Sequence, residues 1–253
     1  MWGIIPAAGA GSRIQPLAFS KELLPVGSRF DGETERPRAV SEYIIDRMIS
    51  GGATRICFVI SPGKSDILSY FGAGINGVHF AYVVQPRPAG LCDALFRALP
   101  FIASHEPAMF GLPDTIWFPE NGLSVLPDDC LSFLTFPVEH PEFFDAVVVD
   151  ENDCVQQIQV KIKTARSNWI WGAFKMPGWV MQELHELWQE RHGQDEYFGT
   201  LVNEYLARGG QAKAVKAGER YVDIGTLNGY RSAIQLLSAE HKEKVEWYDP
   251  VKS

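Results

Sequence analysis

The chain of 253 residues has a formal net charge of −8, with 46% hydrophobic and 21% charged residues. A chain of this length and composition can bury a sizeable core, as one large domain or as one domain with an appended lobe. The acidic balance argues against a nonspecific nucleic-acid binder and against a protein that binds anionic membranes.

The sequence also carries no signal for a membrane or secreted protein. No apolar run approaches the ~18 residues of a membrane span, and the first residues lack the basic start of a signal peptide. The cysteines, Cys57, Cys92, Cys130 and Cys154, show no C-x-x-C spacing, which favours reduced thiols. We therefore expect a cytoplasmic protein that binds neither nucleic acid nor membrane.

An apolar strand followed by a turn of small residues, G-I-I-P-A-A-G-A-G-S, opens the chain at residues 3–12. Gly9 and Gly11 can take positive φ and bring backbone N–H groups close to a ligand, a geometry that suits phosphate oxygens. Arg13 and Lys21 add two cations shortly afterwards. This combination predicts a polyphosphate site.

Two common phosphate-binding motifs do not fit this turn. The dinucleotide fingerprint G-x-G-x-x-G fails because Ile14 stands where the third glycine belongs, and no G-K-[ST] follows for a P-loop.

The elements that follow alternate between helices and strands. Residues 27–38 are polar and of mixed charge, which predicts a solvated loop. A helix is then predicted with Val40, Tyr43, Ile44 and Met48 on one stripe and with Gly51-Gly52 at its end. Further elements are a strand at Arg55–Ser61, a short helix around Ser65–Phe71 and a strand at His79–Gln85.

This alternation predicts an α/β fold in which a mostly parallel sheet is covered by helices on both faces. Ligands of such sheets bind at the carboxyl ends of the strands, where the Gly9 turn and Gln85 would both lie. The Gln85 amide can pair with the O4 and N3–H edge of thymine or uracil. Gly90, without a side chain, would let a base lie against the backbone.

A third switch from strand to loop occurs within Ala108–Phe118, with Asp114 just beyond the strand. A carboxylate facing a triphosphate needs a cation between them, and Mg²⁺ suits this position because it binds carboxylates and substrate phosphates together.

The second half of the chain becomes rich in strands. Predicted strands cover Leu131–Val138, Ala146–Asp150 and Val155–Lys163, and alternation in the last sends Ile158, Val160 and Ile162 to one face and Lys161 and Lys163 to the other. Helices are predicted at Trp179–Arg191 and Tyr197–Arg208. A final strand delivers Asp223, and Thr226 caps a helix that runs to about Glu240.

Three motifs carry a family resemblance. The run A-A-G-x-G-S-R-I-x-P-L followed by S-K-E-L-L-P-V resembles the sugar-nucleotide pyrophosphorylases, which join a nucleoside triphosphate to a sugar 1-phosphate. Q-P-R-P-A-G-L-C-D-A-L resembles the base-recognition stretch of thymidylyl- and uridylyltransferases, and D-I-G-T after Tyr221-Val222 resembles the family's D-x-G-T segment. The resemblance covers Gly3 to about Ala239.

The resemblance implies one nucleotidyltransferase domain over residues 1–253, of nucleoside-diphosphosugar transferase type. Residues 1–130 would bind the nucleotide, and residues 131–253 would form a strand-rich portion that binds the sugar phosphate and completes the metal site. It also implies roles for individual residues. Arg13 and Lys21 would be catalytic; the nucleotide would contact Ala8, Gly9, Gly11, Ser12, Gln85 and Gly90; the sugar phosphate would contact Asp145, Lys161 and Trp171; and Asp114 and Asp223 would hold Mg²⁺.

The sugar-binding half departs from the family pattern. Lys161 falls on the lysine of the family's E-K-P when Ser167-Asn168 and Gly172 are matched to the S-N and the following glycine, but Val160 replaces the acidic residue and Ile162 the proline. Asp145 stands where the family's P-E-x-F-G has its glycine.

The resemblance implies in-line attack by the sugar 1-phosphate on the α-phosphorus of the nucleotide, with release of pyrophosphate. dTTP and glucose 1-phosphate are the favoured substrates, and the family allows a homo-oligomer. Two alternatives stay open. One is a UTP-dependent uridylyltransferase, and the other is a non-catalytic protein of the same fold that binds a nucleotide or a sugar phosphate.

Overall fold

A computed structural model describes the backbone of residues 1–30 and 32–244 and the side chains of residues 1–30 and 32–238. Residues 245–253, part of the predicted sugar-binding half, lie outside the described residues. Among the described helices, none combines the length and apolarity needed to cross a membrane.

The described residues form fourteen strands and six α-helices. The strands are β1 (Trp2–Ala7), β2 (Pro25–Phe30), β3 (Glu35–Ala39), β4 (Arg55–Ile60), β5 (Gly74–Ile75), β6 (Val78–Val84), β7 (Pro107–Gly111), β8 (Thr115–Phe118), β9 (Leu131–Pro137), β10 (Asp145–Val149), β11 (Val155–Val160), β12 (Trp169–Pro177), β13 (Ala212–Val215) and β14 (Arg220–Asp223). The helices are α1 (Val40–Ser50), α2 (Ser65–Phe71), α3 (Gly90–Arg97), α4 (Gly178–Glu190), α5 (Phe198–Ala207) and α6 (Leu227–Lys244).

The centre of the main sheet is parallel, in the order β7-β1-β4-β6. Trp2 of β1 lies opposite Arg55 on one side and Ala108 on the other, so the strands run in register. Their carboxyl ends therefore meet at one edge of the sheet, where ligands bind in open α/β sheets.

The sheet continues beyond β7 as antiparallel strands. β12 pairs with β7, β9 and β10, and β11 pairs with β10 at the far edge. Two small antiparallel sheets stand apart from it, β14 with β8 and β2 with β3. This long sheet with flanking helices confirms the expected α/β fold and its strand-rich second portion.

The alternation of β1 shows how both faces of the sheet are buried. Ile4 packs into a core with α3, α4 and α5, and the next residue, Ile5, packs into a core with α1 and α2 on the other face. Both side chains are at most 1% exposed. Strands buried on both faces are continuously apolar, which is why β1 and β4 could be predicted from short apolar runs.

The predicted helices agree closely with the structure. α2 has the predicted bounds, while α4 and α5 each begin within one residue of the prediction. The predicted stripe of α1 is buried. The predicted cap of α6 is present, because Thr226 Oγ1 accepts a hydrogen bond from the Gly229 backbone N–H at 3.1 Å.

The predicted loop at residues 27–38 is wrong. This segment belongs to a β-hairpin in which β2 pairs antiparallel with β3, with Arg29 opposite Arg36; Asp31 lies outside the described residues. Only Val26 and Ala39 of the two strands are fully buried. A ribbon exposed on both faces carries no alternation of apolar and polar residues, so its sequence resembles a loop.

The predicted strand Val155–Lys163 is too long. β11 ends at Val160, and Lys161 has φ +49°, which no extended strand adopts. The Lys161 backbone N–H still donates to the carbonyl oxygen of Phe144 at 3.0 Å, in register with the pair of Asp145 and Val160, and the positive φ of Lys161 then turns the chain. Lys161 and Lys163 therefore belong to a turn and do not form one face of a strand.

Candidate active site

A cavity of about 1220 Å³ opens at the carboxyl edge of the parallel strands. The predicted site residues that line it come from three regions of the chain. They are Ala8, Gly9, Arg13 and Lys21 of the first turn; Gln85, Gly90, Asp114 and Asp223; and Asp145, Lys161 and Trp171 of the strand-rich portion. Two predicted residues, Gly11 and Ser12, are not among the lining residues.

Gly9 and Gly11 have different roles in the first turn. Gly11 has φ +65°, and a Cβ on it would lie 2.8 Å from Cδ of Lys21. Gly9 does not have positive φ, contrary to the expectation, and a Cβ on it would meet no atom within 4 Å. Gly11 therefore allows the turn to pack on the Lys21 side chain, whereas Gly9 leaves space in the cavity.

The two glycines are therefore expected to respond differently to substitution by alanine. Gly11→Ala is expected to lower the free energy of unfolding by about 1–2 kcal/mol, because an L-residue in this conformation is strained. Gly9→Ala is expected to keep wild-type stability and to weaken nucleoside triphosphate binding, because its methyl group enters the cavity. Denaturant unfolding and titration calorimetry would measure the two quantities.

Gly52→Ala is the matched control for backbone strain, since Gly52 has φ +94° with no atom within 4 Å of a Cβ. Wild-type stability in Gly11→Ala, or wild-type nucleotide affinity in Gly9→Ala, would contradict these roles.

Lys21 and Asp114 form a buried ion pair. Lys21 Nζ lies 2.5 Å from Asp114 Oδ2, and the two side chains are 14% and 13% exposed. Burial lowers the pKa of Lys21, but its attraction to Asp114, the hydrogen bond between them and the charges of Glu22 and Asp223 outweigh this, so the pKa lies above its ordinary value. Lys21 is therefore positively charged at neutral pH.

Arg13 and Asp223 form a second, more exposed pair across the cavity mouth. Arg13 Nη2 lies 3.4 Å from Asp223 Oδ2, and the arginine side chain is 63% exposed. Asp223 is held in place from its other side, because Oδ1 accepts the Gly225 backbone N–H at 2.7 Å. The guanidinium can therefore turn towards a ligand while the carboxylate stays fixed.

The two aspartates are brought together by the small sheet of β14 and β8. Asp223 lies opposite Thr115 in the antiparallel register, and the Ile224 backbone N–H donates to the Asp114 carbonyl oxygen at 2.8 Å. Asp114 follows β7, as predicted, whereas Asp223 ends a strand outside the main sheet. Residues more than a hundred positions apart in the sequence thus meet at one point.

Gln85 and Gly90 line the cavity just beyond the end of β6. Gln85 is 4% exposed, and its Nε2 donates to the carbonyl oxygen of Gly90 at 3.2 Å and to Asp93 Oδ2 at 2.7 Å. Gly90 has φ +82°, and a Cβ on it would come within 2.7 Å of the Glu196 carbonyl oxygen. A side chain at position 90 is therefore excluded by the backbone around Glu196.

Asp145 and Lys161 lie together where β10 and β11 border the cavity. Asp145 opens β10 opposite Val160, the last residue of β11, so Lys161 follows directly. Burial raises the pKa of Asp145 to about 6, although Lys161 and the indole N–H of Trp171 favour the charged form. Lys161 Nζ lies 4.4 Å from the centre of the Tyr197 ring, in cation–π geometry.

Trp171 is mainly a core residue. It is 7% exposed, and its ring packs against Phe110, Phe174 and Phe198 with centroid distances of 5.7 to 6.4 Å. Its Nε1 is buried and has no hydrogen-bond partner of standard geometry within the described residues. This N–H nevertheless acts on the Asp145 carboxylate, whose charged form it favours.

Sequence reasoning missed three residues of this site. Tyr221 lines the cavity, and burial, together with the charges of Asp223 and Asp114, raises its pKa well above the ordinary value, so its hydroxyl stays protonated. Its position two residues before Asp223 on a strand could have revealed it, since such residues share a face. Tyr197 and Asp93 carry no comparable local signal.

The chemistry of the two aspartates fits a magnesium ion. They supply hard oxygen ligands on paired strands, next to a cavity with space for phosphates. Among the described residues no group of three or more His, Cys, Asp or Glu side chains could hold a metal. A magnesium ion there would thus depend on substrate oxygens for its remaining ligands.

Comparison with known proteins agrees with this architecture. The family model described as Nucleotidyl transferase matches residues 2–240. The glucose-1-phosphate thymidylyltransferase of Mycolicibacterium smegmatis is 28% identical over 248 residues, covering 94% of this chain and 82% of that protein. The enzyme of the same name from Neisseria meningitidis is 25% identical over 267 residues, covering 98% and 89%.

A solved structure shows the same fold. The UTP-bound UGPase from Acinetobacter baumannii matches with a TM-score of 0.75 at 20% identity, covering 96% of this chain and 97% of that one.

Proposed function

This chain belongs to the nucleotidyl transferase family, and on that premise we propose that it joins a nucleoside triphosphate to a sugar 1-phosphate. dTTP and glucose 1-phosphate are the favoured substrates, and the products are the nucleoside diphosphosugar and pyrophosphate. UTP is the alternative nucleotide. The reaction is proposed to take place in the cytoplasm, in keeping with the four cysteines, which all lie in the described chain as free thiols.

One observation carries this proposal. Two cations, Arg13 and Lys21, face two aspartates, Asp223 and Asp114, in a cavity that Gln85 also lines. The same cavity is lined by a further lysine and a further carboxylate, Lys161 and Asp145. Such a charge arrangement suits two phosphorylated substrates that must be brought together.

The proposed reaction is an in-line displacement. An oxygen of the sugar 1-phosphate attacks the α-phosphorus of the triphosphate, the new P–O bond forms, and the bond to the β-phosphate oxygen breaks to release pyrophosphate. No side-chain nucleophile is needed, because the attacking group is already an anion. Two unit charges ~4 Å apart repel by about 4 kcal/mol at an effective dielectric of 20, so positioned cations are the main requirement.

The residues divide this task between them. Lys21 would hold the triphosphate and Arg13 the leaving pyrophosphate, while Lys161 would hold the sugar phosphate. Asp114 and Asp223 would hold Mg²⁺, which supplies positive charge to the phosphate oxygens when it is bound. Residues 1–130 would bind the nucleotide and residues 131–253 the sugar phosphate.

The decisive experiment is a pyrophosphate-release assay on the purified protein with Mg²⁺. dTTP, UTP, CTP, ATP and GTP would each be tested with glucose 1-phosphate and a panel of other sugar 1-phosphates, with mass spectrometry of the products. Pyrophosphate and a nucleoside diphosphosugar are expected with dTTP or UTP. Tight binding of dTTP without release from any sugar phosphate would indicate the non-catalytic alternative.

The charged carboxylate of Asp145 is expected to destabilise the folded protein and to contribute to binding of the sugar 1-phosphate. Because its folded-state pKa of about 6 lies above the ordinary value of 3.8, its contribution to stability is complete below about pH 4 and is lost as the pH rises through 6. At pH 8 Asp145→Asn should therefore raise the free energy of unfolding by about 1–3 kcal/mol. The gain should disappear at pH 4.

The same variant is expected to raise KM for the sugar 1-phosphate roughly tenfold with little change in KM for the nucleotide, because one charged acceptor is lost. Thermal unfolding at the two pH values and steady-state kinetics would measure these effects. Asp129→Asn, at an exposed position, is the matched control. A destabilised Asp145→Asn at pH 8, or an unchanged KM for the sugar phosphate, would contradict the assignment.

A further inference from the structure

The orientation of the Gln85 amide is determined by its neighbours. Both hydrogens of Nε2 are used, one towards Asp93 Oδ2 at 2.7 Å and one towards the Gly90 carbonyl oxygen at 3.2 Å. Both partners are acceptors, so the reverse orientation would place the amide oxygen against two other oxygens. The buried Gln85 side chain therefore has one stable orientation.

Asp93 is itself fixed by a second residue of α3. Arg97 Nε donates to Asp93 Oδ2 at 2.7 Å, and Arg97 Nη2 donates to Oδ1 at 3.0 Å. Arg97 also reaches the Val84 carbonyl oxygen at the end of β6, at 3.4 Å. The Asp93 side chain is 14% exposed, and neither Asp93 nor Arg97 lines the cavity.

This arrangement leaves one polar atom of Gln85 for a ligand. Within the described residues no donor is bonded to its Oε1, so Gln85 offers the cavity an acceptor and no donor. Uracil and thymine carry an N–H at N3, which can donate to such an acceptor. Cytosine in the same position carries an unprotonated N3, whose lone pair would face the amide oxygen.

We propose that Asp93, held by Arg97, is a positioning residue that orients the Gln85 amide so that the site accepts the N3–H of uracil or thymine and rejects cytosine. This inference rests on the proposed function, because it assumes that the nucleotide base binds in the part of the cavity that Gln85 lines. Asp93 acts through Gln85 and does not touch the base. The same atoms do not distinguish dTTP from UTP, since the two bases share this edge.

The test is the ratio of UTP to CTP binding in Asp93→Asn. An amide at position 93 can donate to Gln85, which removes the shorter of the two contacts that oppose reversal of the Gln85 amide. The reversed amide would present its N–H to the N3 of cytosine. The wild-type protein is expected to bind UTP at least about tenfold more tightly than CTP. In Asp93→Asn this ratio should fall by about tenfold or more, as measured by titration calorimetry with the two nucleotides.

Glu204→Gln is the matched control, because Glu204 pairs with Arg208 at the same i,i+4 spacing on α5, away from the cavity lining. It should keep the wild-type ratio. Arg97→Lys is the second variant should Asp93→Asn unfold, as judged by its melting temperature; it should shift the ratio in the same direction. If Asp93 had a purely structural role, its substitution would weaken the binding of both nucleotides equally and leave the ratio of UTP to CTP binding unchanged.

Two results would overturn the inference. One is wild-type protein that binds CTP as tightly as UTP, and the other is an unchanged ratio in a folded Asp93 or Arg97 variant. Failure of the proposed function would give a different result. A protein that binds UTP more tightly than CTP but releases no pyrophosphate would support the role of Asp93 and contradict the proposed enzymatic reaction.

Discussion

Asp223→Asn is expected to lower kcat for pyrophosphate release by roughly a thousandfold. The asparagine can still accept the Gly225 backbone N–H, which the aspartate accepts at 2.7 Å, so the local fold should persist. What is lost is the negative charge that pairs with Arg13 and that is proposed to hold Mg²⁺. Steady-state kinetics at saturating Mg²⁺ would measure the loss of kcat, and the melting temperature would show whether the variant is still folded.

Asp153→Asn is the matched control for this change. Asp153 is an exposed aspartate that pairs with Lys216 at 3.0 Å, outside the cavity lining. Its position has φ +57°, which asparagine tolerates. Asp153→Asn should keep wild-type kcat. A kcat within tenfold of wild type in Asp223→Asn would remove Asp223 from the proposed metal site.

Arg13→Ala is expected to lower kcat by about two to three orders of magnitude while leaving the melting temperature unchanged. The Arg13 side chain is 63% exposed and its pair with Asp223 has a separation of 3.4 Å, and exposed pairs of this kind add little stability. Its proposed contribution is made in the transition state, where the leaving pyrophosphate gains charge. Single-turnover kinetics and the melting temperature would measure the two effects.

Two further variants sharpen this prediction. Arg13→Lys should recover only part of the lost rate, because an ammonium cannot bind two phosphate oxygens in the fork geometry of a guanidinium. Arg208→Ala removes an exposed arginine that pairs with Glu190 and Glu204 on the surface, and it should keep wild-type kcat. Near-normal rates in Arg13→Ala would exclude its role in the reaction.

Local sequence patterns were sufficient for most elements and for the first turn. α2 and the buried stripe of α1 follow from the 3.6-residue period, and β1 and β4 from short apolar runs between turn residues. Gly9, Arg13 and Lys21 lie within one short stretch, so their common location could be predicted. These features depend on interactions between residues close in the sequence, which a pattern can record.

Two local patterns led to predictions that were wrong. Strict alternation over Gln157–Lys163 predicted a longer strand, but the positive φ of Lys161 ends it. The β2–β3 hairpin lacks a buried face, so its sequence shows no regular alternation of apolar and polar residues. In neither segment does the hydrophobic pattern record the backbone geometry: a positive φ ends the first strand, and two largely exposed neighbouring strands pair in the second.

The sequence by itself determined the fold class, the position of the turn that is proposed to bind phosphate and the residue types of the candidate site, because these follow from hydrophobic period and motif spacing. Only the tertiary structure decided which charges meet. The pairing of Arg13 with Asp223 spans 210 positions, and the orientation of Gln85 depends on Asp93, to which its motif assigned no role, and on Arg97, which lies outside that motif. Such contacts arise when separate strands and helices pack, and no pattern along one segment encodes their geometry.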